Sequence, residues 1–196
     1  MVRGDNEPEA EDDVADRAAA TIRGSTARDD VGDGPLSIVG GDFDGDGRGD
    51  LALGAPGWDG AALDGGVVAV FDGGALGVEL ELGDADALVQ GNGALGRALS
   101  RAGDLDGDGA DDLLAGATTA GNGVLYALRA TFAGTRTLPG DELGSWVGAG
   151  AGDTFGAAVG TGSDLDGDGT TDIAAAATGN DDAGESAGKV YVFPGW

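Results

Sequence analysis

Residues 42–50 read Asp-Phe-Asp-Gly-Asp-Gly-Arg-Gly-Asp, and the pattern returns twice, as Asp-Leu-Asp-Gly-Asp-Gly-Ala-Asp-Asp at 104–112 and Asp-Leu-Asp-Gly-Asp-Gly-Thr-Thr-Asp at 164–172. The starts lie 62 and 60 residues apart. A fixed period of this kind restricts a chain to repeat architectures, in which each unit is one supersecondary element that buries its apolar face against its neighbours.

The surroundings of the acidic stretch repeat with it. A short apolar run precedes each copy (LSIVG, RALSRAG, AAVGTG), and a second follows it (LALGAP at 51–56, LLAGAT at 113–118, IAAAAT at 173–178). A third run comes next: GVVAVF at 66–71, GVLYAL at 123–128 and KVYVF at 189–193. A weaker fourth element, TIRG at 21–24, LVQG at 88–91 and SWVG at 145–148, precedes each unit. Runs this short, rich in Val or aromatic residues and bounded by Gly and Asp, are strands rather than helices. The expected fold is all-β: about three repeats over 20–196, each of four short antiparallel strands, of the β-propeller blade type. Residues 1–19, acidic and without an apolar stretch, are expected to be a disordered leader.

Composition decides which chemistry the acidic stretches can do. The chain has 36 Asp+Glu against 10 Lys+Arg, a net charge of −26, no Cys and no His. Such a charge repels nucleic acid. Without Cys there are no disulfides and no thiolate ligands, and without His the usual general base near neutral pH is missing. Asp remains in quantity, a hard oxygen donor suited to calcium or magnesium. No run of about 18 apolar residues exists, so no membrane insertion by a helix is expected.

Calcium takes 6–8 oxygens in a flexible shell. Loop positions 1, 3, 5 and 9 can supply carboxylates and position 7 a backbone carbonyl, while Gly at positions 4 and 6 permits the tight path. The expected ligands are Asp42, Asp44, Asp46, the Arg48 carbonyl and Asp50 in the first loop. In the second they are Asp104, Asp106, Asp108, the Ala110 carbonyl and Asp112. In the third they are Asp164, Asp166, Asp168, the Thr170 carbonyl and Asp172. About three Ca²⁺ per chain follow. Phe43, Leu105 and Leu165 at position 2 are expected to anchor each loop in its blade. The beginning of the loop also fits an EF-hand, but an EF-hand needs Glu at position 12, where this chain has Leu53, Ala115 and Ala175. Asp-Gly steps that merely make turns would not need four carboxylates at one spacing three times over.

The order Phe-Gly, strand, DxDGDGxxD, strand, Gly-Ala-Pro, then GxVYVF resembles the FG-GAP repeats of integrin α-subunit propellers and their bacterial relatives. The likeness covers about 20–196. The naming dipeptides are intact only at Phe155-Gly156 and Gly54-Ala55-Pro56; the other units read Gly116-Ala117-Thr118 and Ala176-Ala177-Thr178. The resemblance implies a calcium-binding interaction module of an extracellular or cell-surface protein, with a protein or glycan partner. The alternative is an accessory propeller region of a secreted hydrolytic enzyme; no nucleophile–base pair is visible, so the chain itself is not expected to be an enzyme. Two Arg-Gly-Asp tripeptides occur, at 3–5 in the leader and at 48–50 inside a loop where Asp50 would be engaged. Three blades fall short of the 4–8 of a closed propeller. The expectation is an open arc that is part of a longer propeller, or a homodimer in which residues 21–24 complete the partner's third blade.

Overall fold

The computed structural model describes residues 18–34, 36–60, 62–74, 76–77, 79–129, 134–140 and 142–195. The expected leader, with its Arg3-Gly4-Asp5, lies almost wholly outside them, as does Trp196. In chain order the strands are β1 (Thr21–Arg23), β2 (Ile38–Gly41), β3 (Asp50–Ala55), β4 (Val67–Phe71), β5 (Glu79–Glu81), β6 (Ala87–Gln90), β7 (Leu95–Gly103), β8 (Asp112–Ala117), β9 (Val124–Leu128), β10 (Gly134–Thr137), β11 (Gly144–Val147), β12 (Phe155–Thr161), β13 (Ile173–Ala177) and β14 (Lys189–Phe193). One 3-10 turn, Leu82–Asp84, is the sole helical element among the described residues.

The sheets are the expected blades. β2-β3-β4-β6 form the first, β7-β8-β9-β11 the second and β12-β13-β14 the third, with neighbouring strands antiparallel throughout. The third blade lacks a fourth strand among the described residues, so β14 is its edge. Two details depart from four strands per blade. β10, which the sequence pattern does not announce, lies between β9 and β11 of the second blade in chain order and pairs in parallel with β6 of the first. β1 pairs in parallel with β5, itself unanticipated, and so stands outside the blades. That corrects the reading of TIRG as an outer blade strand: its backbone is already engaged within its own chain, with Arg23 paired to Glu81 at 2.8 Å.

Alternation along the strands explains how the blades stack, because successive side chains point to opposite faces. Val68 and Val70 of β4 join Leu113, Ala115, Tyr126 and Leu128 in a core between the first and second blades. Leu114, Leu125 and Ala127 face the other way, meeting Phe155, Ile173, Ala175 and Tyr191 between the second and third. The outer face of the first blade is covered: Val67, Ala69 and Phe71 pack with Leu82, Ile22, Val31, Trp58 and Leu80. The outer face of the third is open, with Leu165 63%, Val190 66% and Val192 54% exposed. Trp58 and Trp146 pack against these cores, Trp146 with Phe193 at a ring separation of 5.3 Å.

Glycine sets the spacing of the seams. Gly54 of β3 lies against Gly96 of the next blade, and Gly116 of β8 lies against Gly156. Gly96 and Gly156 have φ of +91° and +85°, which a side chain would strain. These are the Phe-Gly and Gly-Ala positions of the repeat, so the pattern quoted from the sequence is the contact surface between consecutive blades.

Candidate metal centre

Each acidic loop joins the first two strands of its blade, β2–β3, β7–β8 and β12–β13. The Gly residues at positions 4 and 6 have φ between +75° and +95° in all three, the left-handed backbone that the tight path requires. Position 1 organises the turn. Asp104 accepts the amides of Gly107 at 2.7 Å, Asp108 at 3.0 Å and Gly109 at 3.0 Å. Asp164 does the same with Gly167, Asp168 and Gly169 at 2.6, 3.1 and 2.9 Å, and Asp42 accepts Gly47 at 3.0 Å. Position 9 closes the loop from the buried side: Asp50, Asp112 and Asp172 accept the position-2 amides of Phe43, Leu105 and Leu165 at 2.7, 2.7 and 2.6 Å.

This scaffold draws carboxylates together. Oxygens of Asp42, Asp44 and Asp50 lie within 4.8 Å of one another, as do those of Asp104, Asp106 and Asp108, and those of Asp164, Asp166 and Asp172. Not every expected ligand joins its trio. Asp112 and Asp168 stay outside, Asp168 holding the amide and hydroxyl of Thr170 instead. Asp46 joins Asp44 in a separate trio completed by Asp72, which the repeat motif does not include. Position 2 anchors unequally: Phe43 is buried, Leu105 is partly buried in the seam core, and Leu165 is 63% exposed. The anchor packs on the following blade, and no described residue stands there for the third loop.

The electrostatics record uncompensated negative charge. Burial pushes the Asp112 carboxyl up to about 6, assisted by the charges of Asp106 and Asp108 and opposed by the Leu105 amide. On Asp44 the Asp46 amide pulls downward, yet desolvation and the charges of Asp46, Asp50 and Asp72 leave it raised. At Asp168 the Thr170 hydroxyl and amide hold the carboxyl low. Asp42 Oδ1 and Asp112 Oδ1 are buried without a hydrogen-bond partner among the described residues. Buried carboxylate oxygens in that condition are costly unless something positive is near. An oxygen-only donor set, with orphaned oxygens in two of the loops, fits a hard cation such as calcium.

Sequence reasoning missed three side chains. Asp72 and Arg129 follow the third strand of their blades and reach back to the loops; aligning the repeats end to end would have placed them. Asp111, at position 8 of the second loop, accepts the Asp42 amide at 2.8 Å and pairs with Arg101 at 2.8 Å, while its own amide donates to the Asp42 carbonyl at 2.7 Å. It fastens the first loop to the second.

Stacked antiparallel blades, two of four strands and one of three among the described residues, with an acidic loop in each define a propeller-type repeat protein. The chain carries FG-GAP repeats: the model of that repeat matches residues 34–71 and 155–193. The blade between those matches has the same strand order and loop. The chain is also 39% identical over 89 residues to integrin alpha pat-2 of Caenorhabditis briggsae. That alignment covers 43% of this chain and 7% of the relative. Residues 34–71 and 155–193 are thus FG-GAP repeats, and part of the chain is similar to an integrin α-subunit, of whose length the matched segment spans a small fraction.

Proposed function

We propose that the chain is a calcium-binding, propeller-type interaction module, acting at the cell surface or outside the cell through a protein partner and not as an enzyme. The observation that carries the cation reading is the convergence of three carboxylates in each of three loops, two of which also hold a buried carboxylate oxygen without a partner among the described residues. About three Ca²⁺ would bind, one per loop, through the carboxylates of positions 1, 3, 5 and 9 and the position-7 carbonyls of Arg48, Ala110 and Thr170. Bound calcium would neutralise each loop and fix the strands it joins. The partner class and location are supported by the resemblance to an integrin α-subunit. A glycan partner is the competing outcome of a binding screen. Among the described residues no helix is long and apolar enough to cross a membrane.

Calorimetric titration and native mass spectrometry test the cation reading. About three ions at affinities on the order of 10⁻⁴–10⁻³ M are expected, the range of extracellular modules. Asp166→Ala should remove one ion and leave the other two. Absence of bound calcium at millimolar supply refutes the reading.

A further inference from the structure

Beyond the loops themselves, where Arg48 makes a 3.5 Å contact with Asp46 in the first, the three repeats differ in charge at one further position. In strand register Leu51 faces Phe71, Leu113 faces Leu128 and Ile173 faces Phe193. The next residue of the third strand therefore stands beside the closing Asp of each loop, and it is Asp72, Arg129 or Pro194. Asp72 adds a carboxylate to Asp44 and Asp46. Arg129 does the reverse: its Nε and Nη2 both lie 2.6 Å from Asp106 Oδ2, an expected ligand oxygen. Asp108 and Asp112 also act on its charge. Pro194 brings no charge.

The position-9 carboxylates differ in step. Asp50 Oδ1 accepts the Gly73 amide at 3.0 Å, and Asp172 Oδ1 accepts the Gly195 amide at 3.3 Å. Asp112 Oδ1 has no such donor among the described residues, although Asp112 is only 1% exposed. Among the described residues the second loop thus holds a buried carboxylate oxygen without a partner and, on Asp106, a guanidinium seated on a ligand position. The lip carrying Arg129 is itself tethered, since Arg136 Nη2 of β10 donates to the Arg129 carbonyl at 2.7 Å. The guanidinium, 41% exposed, can leave without its backbone moving.

We propose that Arg129 is the resident counter-cation of the second loop, and that calcium enters this loop only in competition with it. The inference rests on the calcium reading above. It makes the second loop the weakest of the three sites, a position that fills last as calcium rises, and makes the Arg129–Asp106 pair the element that calcium rearranges. A divalent ion beside a guanidinium is repelled, and it must also take Asp106 Oδ2 from that partner.

Calorimetry with native mass spectrometry on wild type, Arg129→Ala, Arg129→Gln and Arg129→Asp tests this, with circular dichroism reporting folding. Wild type should show two tighter sites and one weaker. Arg129→Ala and Arg129→Gln should tighten the weakest site by about tenfold and leave the other two unchanged. Arg129→Asp, which copies the first loop, should tighten it further. Adding Asp106→Ala should abolish the gain. Unchanged or weakened binding in folded Arg129→Gln overturns the competition while the calcium reading stands. Wild type that binds no calcium overturns both.

Discussion

Replacing Gly116 by Ala should unseat the third blade from the second. A Cβ on Gly116 would overlap the Gly156 carbonyl oxygen and lie 3.0 Å from its carbon. Gly54→Ala meets the same obstacle in the first seam, 2.7 Å from the Gly96 carbonyl carbon. The obstacle is backbone, so no rotamer change relieves it, and the left-handed φ of Gly96 and Gly156 pins those carbonyls. Overpacking usually costs about 1–3 kcal/mol; with a rigid neighbour the cost should reach about 3 kcal/mol, a large part of a typical 5–15 kcal/mol stability. For a chain of this size that is a fall in Tm of roughly 6–12 °C. Gly160→Ala is the control: it lies in β12 with nothing within 4 Å of the new Cβ, so it should be neutral or slightly stabilising. Thermal unfolding in calcium, followed by far-UV circular dichroism, reads all three. A Gly116→Ala protein melting within about 2 °C of wild type would refute the seam.

Asp111→Ala should cost about 1–3 kcal/mol in urea unfolding, because it strips the Asp42 amide of its acceptor and Arg101 of its ion pair; hydrogen exchange should quicken at Asp42 as well as in the second loop. Asp112 carries a pH signature in chelated protein. Its carboxyl is raised from an ordinary 3.8 to about 6, so the metal-free fold holds that proton more tightly than the unfolded chain. Its contribution is best at low pH and declines as pH climbs from about 4 towards 6. The isosteric, uncharged Asp112→Asn should therefore gain on wild type across that window, by up to about 2 kcal/mol after solvent screening; a gap that does not change with pH would refute the assignment. Phe43→Ala should cost about 3–5 kcal/mol and Leu165→Ala under about 0.5 kcal/mol, since the first side chain is fully buried and the second mostly exposed.

The blades were legible because their signal is local and repeated. Three apolar runs at fixed offsets from Asp42, Asp104 and Asp164 leave little freedom in strand order, and each formed the strand expected. Position 9 was legible as the residue that closes the loop, since Asp50, Asp112 and Asp172 each accept the position-2 amide, although it joins the carboxylate trio only in the first and third loops. The parallel partners were not. β5 and β10 have ordinary sequences, Glu-Leu-Glu and Gly-Thr-Arg-Thr, and acquire strand form only by lying along edges that other segments create. TIRG misled for the same reason: its likeness to the outer strands is real, but which edge it meets depends on residues 79–81, far along the chain. Leu165 was expected to be buried from its loop position alone; burial at that position depends on a following blade.

Asp72, Arg129 and Pro194 show how this fold permits variation where the motif does not. The motif residues are held by two constraints at once: the glycine seams, which fix how closely blades approach, and the amide bonds of positions 1 and 9, which fix each loop on its blade. The residue after the third strand belongs to neither set. Its side chain meets the loop from outside, so a carboxylate, a guanidinium or a pyrrolidine can stand there without disturbing strand register, which is the same in all three blades. In a chain of net charge −26 with few cationic side chains, Arg129 on Asp106 at 2.6 Å is a closer local neutralisation than the exposed Arg48–Asp46 contact of the first loop at 3.5 Å. The repeat thus keeps strand register common to its blades and leaves charge to be set blade by blade, and on the calcium reading proposed above it is charge that would separate the affinities of the three loops.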